Sequence, residues 1–408
     1  MNWTLLVPGG LLPPALAPEL SRSIRAPLLI AQLALARPVP PRASPGAFPI
    51  DTGARQSAHW QWLAQRLGVD ADDLPTAPYA WRGASAHRSS APLEPENGGM
   101  QAGMWIAHCE PVHMAIARDH FVVTDLARAP LQEAEASELL ERANAVLEAE
   151  TSSSAGHAAP RLQIAVNGGR WFLLSPRPLD LTTWALDAVL GQSVQYRLPT
   201  GKDARRWRVL ANEVQMSWHA SRANDAREAA GQDPANGLWL HGGGVWQPLA
   251  AVPPMDVHAQ DAPAEAAALR GWLSAAAAST GPAGESAPGS APVGAAPQTL
   301  SICRALFPAY AHQAWESWLA QWPVLEARLE ADLAAARRAG ARRFDLVLCG
   351  AAGTRSITLP LQAPWWRRLR AGSPAPAALL QRWLTEAPPA AAPHSKTRGA
   401  AANGALAA

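Results

Sequence analysis

The stretch from Asn212 to Gly244, NEVQMSWHASRANDAREAAGQDPANGLWLHGGG, constrains this chain more than any other, because it sets helix, short helix, turn and strand in fixed succession. From Ala204 to Ala220 the large apolar residues Trp207, Leu210, Val214 and Trp218 recur at steps of three and four. That is the period of one helix face, and it predicts a helix packed on a core. On the opposite side Asn212, Gln215, His219 and Arg222 form a second ridge of hydrogen-bonding side chains. Arg222 to Asn224 loosens that helix, Asp225 to Ala230 reads as a second short one, and Gly231 stands where a left-handed C-terminal cap is wanted. The turn Gln232–Asn236 then leads into a short strand, Gly237–His241, which Gly242, Gly243 and Gly244 close.

Glycines let backbone N–H groups converge on an anion, because no Cβ stands in the way. Arg227 adds a planar fork of donors that matches phosphate or carboxylate. The expected ligand is therefore a small acidic or phosphorylated molecule, and the candidate binding set is Asn212, Gln215, His219, Asn224, Arg227, Asn236, Gly242 and Gly244. A structural reading stands beside this one. Polar helix faces are commonly solvated faces, and three glycines after a strand commonly make a turn.

The ordered string Asn224-x-x-Arg227-x-x-x-Gly231-x-x-Pro234-Ala-Asn236, followed by a strand and Gly242-x-Gly244, resembles a segment of archaeal-type cofactor-independent phosphoglycerate mutases. It is still more similar to a bacterial group of phosphoglycerate-mutase-like proteins, some described as RpfE-type regulatory proteins. The further matches are Asn212-Glu-Val-Gln-Met216, Leu238-Trp-Leu240 and Pro111-Val-His113, and the likeness covers roughly residues 100 to 250. The resemblance implies an alkaline-phosphatase-like α/β core. In active members it also implies a serine nucleophile between two divalent metals held by Asp and His side chains, since moving a phosphoryl group needs clustered positive charge. Here the first strand ends in Val7-Pro8-Gly9-Gly10 without a carboxylate. The nearest approach to an Asp-His-Gly ligand cluster is Asp119-His120-Phe121, and Ser221-Arg222 replaces the His-Pro that relatives carry.

The rest of the chain predicts a mixed sheet flanked by helices. Met1 to Val7 reads as a buried strand, Trp60, Leu63 and Leu67 as a helix that Gly68 closes, and Phe121–Thr124 as a further strand. Leu131–Glu150 reads as a helix with Leu139, Leu140, Ala143 and Leu147 inward. Arg161–Val166 and Arg170–Leu174, joined through Asn167-Gly-Gly169, make the clearest hairpin. Asp180 caps a helix from Thr182 to Leu190. A tryptophan stripe, Trp315, Trp318 and Trp322, shares one helical face, Pro323 opens the next helix with Leu325, Leu329 and Leu333 inward, and Phe344–Cys349 pairs with Ser356–Leu361. The expected organisation is a phosphoglycerate-mutase-like domain over 1–273, a linker of Ala, Gly, Ser and Pro over 274–298, a helix-hairpin-helix part over 299–386 packed on that core, and a disordered tail over 387–408.

Charge and cysteine use narrow the partners. Thirty-five Lys plus Arg against 33 Asp plus Glu leave +2, so bulk charge gives no reason to expect nucleic acid or an anionic membrane. No run of apolar residues is long enough to cross a membrane, the start lacks the pattern of a secretory signal, and three scattered cysteines point to a reducing, cytoplasmic setting. His108, Cys109, Glu110 and His113 are all metal-capable. Along an extended segment they point to both faces, so a locally satisfied turn is the expected arrangement and no metal is assigned. Three readings follow: a mutase-like scaffold without the two-metal centre that binds an anion or a regulatory protein partner, with no cofactor; an active mutase using divalent metal; and a nucleic-acid-associated protein using Trp365, Trp366 and the arginines up to Arg370.

Overall fold

A computed structural model describes residues 1–38, 55–69, 74–85, 103–117, 120–153, 160–249, 254–278, 297–351, 353–362 and 375–386. Its strands are β1 (Asn2–Val7), β2 (Arg37–Pro38), β3 (Trp105–Ala117), β4 (His120–Thr124), β5 (Gln163–Asn167), β6 (Arg170–Ser175), β7 (Gly237–Val245), β8 (Met255–His258), β9 (Gln298–Ile302), β10 (Arg343–Cys349) and β11 (Thr354–Leu359). They form two sheets. The first runs β2-β11-β10-β1-β9-β8, with β8, β9, β1 and β10 parallel and β11 antiparallel to both of its neighbours. The second runs β4-β3-β6-β5, with β7 also paired to β3, and is antiparallel throughout. The protein is a mixed α/β structure with helices flanking its sheets.

Alternation along β1 explains the first sheet. Trp3, Leu5 and Val7 face one core with the helices Ala17–Ser23, Trp322–Arg338 and Pro376–Leu384, while Leu6 faces another with the helices Ala58–Leu67, Thr76–Ser85 and Pro263–Ala278. Both faces are covered, so the strand reads as an unbroken apolar run. The second core also takes in Ile106 and Phe172 from the antiparallel sheet, so the helices Thr76–Ser85 and Pro263–Ala278 lie between the two sheets. A third core sits between the antiparallel sheet and the helices Glu133–Ser153 and Ala204–His219, through Leu139, Ala143, Leu147, Trp207, Leu210, Val214 and Trp218.

Several expectations need correction. The turn expected at His108–His113 is the middle of β3, which runs straight through Pro111. Its partner on one side changes from β6, at residues 105–108, to β4, at residues 113–117. The changeover leaves room for a residue that cannot donate to a ladder. Gly242–Gly244 likewise continue β7 rather than close it. Between Thr182 and Leu190 only Leu186–Val189 is helical, and the tryptophan stripe divides between the helices Trp315–Ala320 and Trp322–Arg338. Residues 274–278 complete a helix and Gln298 opens β9, while 279–296, the tail 387–408 and Trp365–Arg370 lie outside the described residues. Because β1 sits between β9 and β10, the residues from 299 onward complete the first sheet. Cys109, Cys303 and Cys349 are buried free thiols, and among the described residues no helix is long and apolar enough to cross a membrane.

Candidate functional site

β9 delivers Arg304 just past its C-terminal end, and ligands of open α/β sheets bind beyond the carboxyl ends of their parallel strands. A cavity of about 120 Å³ opens there, with the antiparallel sheet as its opposite wall. That volume suits a small ligand, since pockets for drug-sized molecules start at roughly 300 Å³.

The wall from the second sheet is built by strand parity. His108 and Glu110, two apart on β3, both line the cavity, whereas Cys109 between them turns into the third core. Arg170 at the start of β6 and His241, opposite His108 on β7, complete the wall. Glu110 pairs closely with Arg170, and His241 Nε2 lies 3.4 Å from the same carboxylate oxygen. Burial alone would raise the Glu110 pKa, but Arg170 and His241 outweigh it and hold the carboxyl well below its usual range. His108 stacks on His241 with ring centroids 4.7 Å apart. Burial pushes its pKa well below the ordinary histidine value, reinforced by the charge of Arg170, so His108 is neutral at pH 7.

The facing wall combines Arg304 beyond β9, His59 and Glu265 from helices of the second core, and Asp187 from the short helix Leu186–Val189, which packs on the antiparallel sheet. Arg304 donates from Nη1 to Glu265 Oε1 at 2.7 Å and from Nη2 to Asp187 Oδ1 at 3.2 Å. His59 Nε2 lies 3.3 Å from Glu265 Oε1 and 3.5 Å from Asp187 Oδ2, and its Nδ1 is 3.0 Å from Ser57 Oγ. Burial pulls the His59 pKa down, yet hydrogen bonds and charge from Asp187 and Glu265 more than offset it, and the net shift is upward. Asp187 and Glu265 are held low for the converse reason: the Arg304 charge outweighs their burial. Thr76, the first residue of its helix, also lines the cavity, so the positive end of that helix dipole meets it. Four buried atoms here have no hydrogen-bond partner among the described residues: Arg170 Nε and His108 Nδ1 on one wall, and Glu265 Oε2 and His59 Nε2 on the other.

The residues expected from sequence lie elsewhere, with one exception. Asn212, Gln215 and His219 share the exposed face of the helix Ala204–His219. Asn224 is buried, donating to the carbonyls of Trp218 and Ala235 and accepting from Ala235 N–H, and so ties the short helix to the following turn. Arg227 is 1% exposed and fully engaged, donating to the Asp233 and Ala129 carbonyls and to Glu135 Oε2. Asn236 splices onto β3, accepting from Met114 N–H at 2.6 Å and donating to Met114 O at 3.1 Å. Gly244 packs against Pro75, and Gly243 lies against Trp105. Only Gly242 reaches the cavity wall: its φ is +60°, and a Cβ there would run into Thr76 Oγ1 beside His108. His113 is held by the Pro234 carbonyl at 2.8 Å.

Sequence reasoning missed His59, Thr76, Arg170, Asp187, His241, Glu265 and Arg304. Strand parity could have paired His108 with Glu110, and the β5–β6 hairpin could have brought Arg170 near them. Nothing local marks His59, Asp187 or Glu265, which only the tertiary fold gathers.

β1 ends without a carboxylate, and among the described residues the metal-capable groups gather only as His59, Asp187 and Glu265, within 4.8 Å of one another and already in contact with Arg304.

No protein-family model matches this chain, and no curated protein matches it either. Solved structures do. A cofactor-independent phosphoglycerate mutase from Thermoplasma acidophilum DSM 1728 matches over 94% of this chain and 99% of its own, at 12% identity and a TM-score of 0.29. The PH0037 protein from Pyrococcus horikoshii matches over 88% of this chain and 87% of its own, at 11% identity and a TM-score of 0.38. The similarity is distant and structural.

Proposed function

We propose that this chain is a phosphoglycerate-mutase-like scaffold without a two-metal centre, and that it binds a small phosphate- or carboxylate-bearing molecule in the cavity between its sheets. The observation that carries the reading is Arg170 Nε, a buried donor with no acceptor beside a cavity that also receives a helix start. Buried donors are rarely left unmade, because an unsatisfied one costs about 1–3 kcal/mol. An oxyanion in the cavity supplies the acceptor, and the first turn of the helix Thr76–Ser85 favours its charge.

Three lining carboxylates (Glu110, Asp125, Asp187) and Glu265 behind them face two guanidinium groups (Arg170, Arg304) and His59, whose raised pKa favours the charged form. The cavity is thus close to neutral, and an anion binds by directed hydrogen bonds more than by bulk attraction. Modest affinity suits a sensor or regulatory role.

Calorimetric titration of the whole chain with inorganic phosphate and with 3-phosphoglycerate tests this. Wild type is expected to bind one anion, and Arg170→Ala to bind about tenfold more weakly, equivalent to ~1.4 kcal/mol. Arg170→Lys keeps the charge but not the Nε donor and is expected to fall between them. No heat in any of the three proteins refutes the reading. One observation favours an active metal-dependent mutase instead, the gathering of His59, Asp187 and Glu265. Conversion of 3- to 2-phosphoglycerate with added manganese would establish that alternative.

A further inference from the structure

On the wall opposite Arg170 two buried atoms are unpartnered among the described residues, Glu265 Oε2 and His59 Nε2. Glu265 is 0% exposed, its Oε1 takes the hydrogen bond from Arg304, and its Oε2 has no partner among the described residues. His59, 1% exposed, directs Nε2 at Glu265 and Asp187 from 3.3 and 3.5 Å, and their ligand atoms lie within 4.8 Å of one another. These groups come from three separate helices, Ala58–Leu67, Leu186–Val189 and Pro263–Ala278, so they converge on one point from different directions. Convergence of that kind is what a metal site needs and what a run of neighbours on one strand lacks.

We propose that His59, Asp187 and Glu265 form a site for a single first-row divalent cation, and that the Arg304 guanidinium occupies its place in the metal-free protein. One imidazole and two carboxylates make a mixed nitrogen and oxygen donor set suited to such ions. Arg304 bridges both carboxylates as a cation would, yet its side chain is 19% exposed and lines the cavity, so it is the member of the cluster nearest to solvent. Charge favours the exchange. Glu110, Asp125, Asp187 and Glu265 outnumber Arg170 and Arg304 by two, and a divalent ion offsets that excess. This site is distinct from a two-metal phosphoryl centre, because no ligand comes from the end of β1.

The test uses the full chain, stripped of metal, titrated with Mn²⁺ in buffer free of phosphate and carboxylate, by calorimetry and by loss of the free-ion paramagnetic resonance signal. The cation is therefore measured apart from any anion. Wild type is expected to take up one Mn²⁺ per chain. Glu265→Gln and His59→Ala should each bind at least tenfold more weakly, with circular dichroism confirming that they fold. Arg304→Met removes the competing cation and should bind at least tenfold more tightly. If Arg304→Met does not fold, Arg304→Lys, which loses the fork across both carboxylates, carries the same comparison. A wild-type chain that takes up no Mn²⁺ overturns the proposal, as does uptake that Glu265→Gln and His59→Ala leave unchanged. Arg304 variants that bind no more tightly overturn the stand-in role of that arginine.

Discussion

At the scale of single residues, the question is what a polar side chain does once buried. Arg227 and Arg170 look alike in sequence, but Arg227 has every direction answered by Asp233, Ala129 and Glu135, whereas Arg170 keeps a free donor. Arg227→Ala is therefore expected to cost about 3–5 kcal/mol in urea unfolding, because Glu135 loses its buried partner. It should leave phosphate affinity within twofold of wild type, and a large loss of affinity at unchanged stability would contradict this assignment. His108 offers a pH test. Its folded pKa lies below the unfolded value of about 6.5, so its contribution to stability is complete above that pH and is lost as pH falls from there toward the depressed folded value. Imidazole NMR shifts should show His108 still neutral at pH 6, and half-protonation near 6.5 would contradict its buried setting. Sequence spacing identified the inward faces around Leu139 and Trp218 because burial follows period. It could not tell an engaged arginine from an open one, since that depends on carbonyls brought by distant segments.

Among the elements, the crossing of the helices Thr76–Ser85 and Pro263–Ala278 matters most, since one carries Thr76 to the cavity and the other sets Glu265 behind its wall. Gly83 and Gly271 allow it. A Cβ on Gly83 would strike the Ala267 carbonyl, and one on Gly271 the Tyr79 carbonyl, so the two backbones touch with no side chain between them. Gly271→Ala is expected to destabilise by about 1–3 kcal/mol through overpacking, and to weaken phosphate binding as the helices part. A thermal melt and the anion titration check both, and a fully stable Gly271→Ala would show that the crossing yields easily. Elements were legible where local chemistry decides them: β1 as a continuous apolar run, the β5–β6 hairpin through Gly168 and Gly169 at φ +60° and +75°, and Gly68 and Gly231 as left-handed caps. They were illegible where a neighbour decides. Pro111 reads as a break until the strand beside it is known to change, and Gly242–Gly244 read as a turn until Thr76, Trp105 and Pro75 are seen against them.

For the whole molecule, the sequence conveyed a mixed α/β architecture but not the meeting of its parts. Strands β9 and β10, almost 300 residues or more from β1, flank it in the first sheet, and no local signal announces a pairing at that distance. The same holds for the cavity, whose charged groups come from residue 59 to residue 304 and assemble only when the antiparallel sheet closes over the carboxyl ends of the parallel strands. The motif around Arg227 ties the short helix to the flank of the second sheet, while the proposed anion site lies across that sheet. Crystals grown with saturating 3-phosphoglycerate test this most directly. An oxyanion of the ligand is expected within hydrogen-bonding distance of Arg170 Nε, between Thr76 and His108. Density on the exposed ridge of Asn212, Gln215 and His219, with the cavity between the sheets left without ligand, would contradict it.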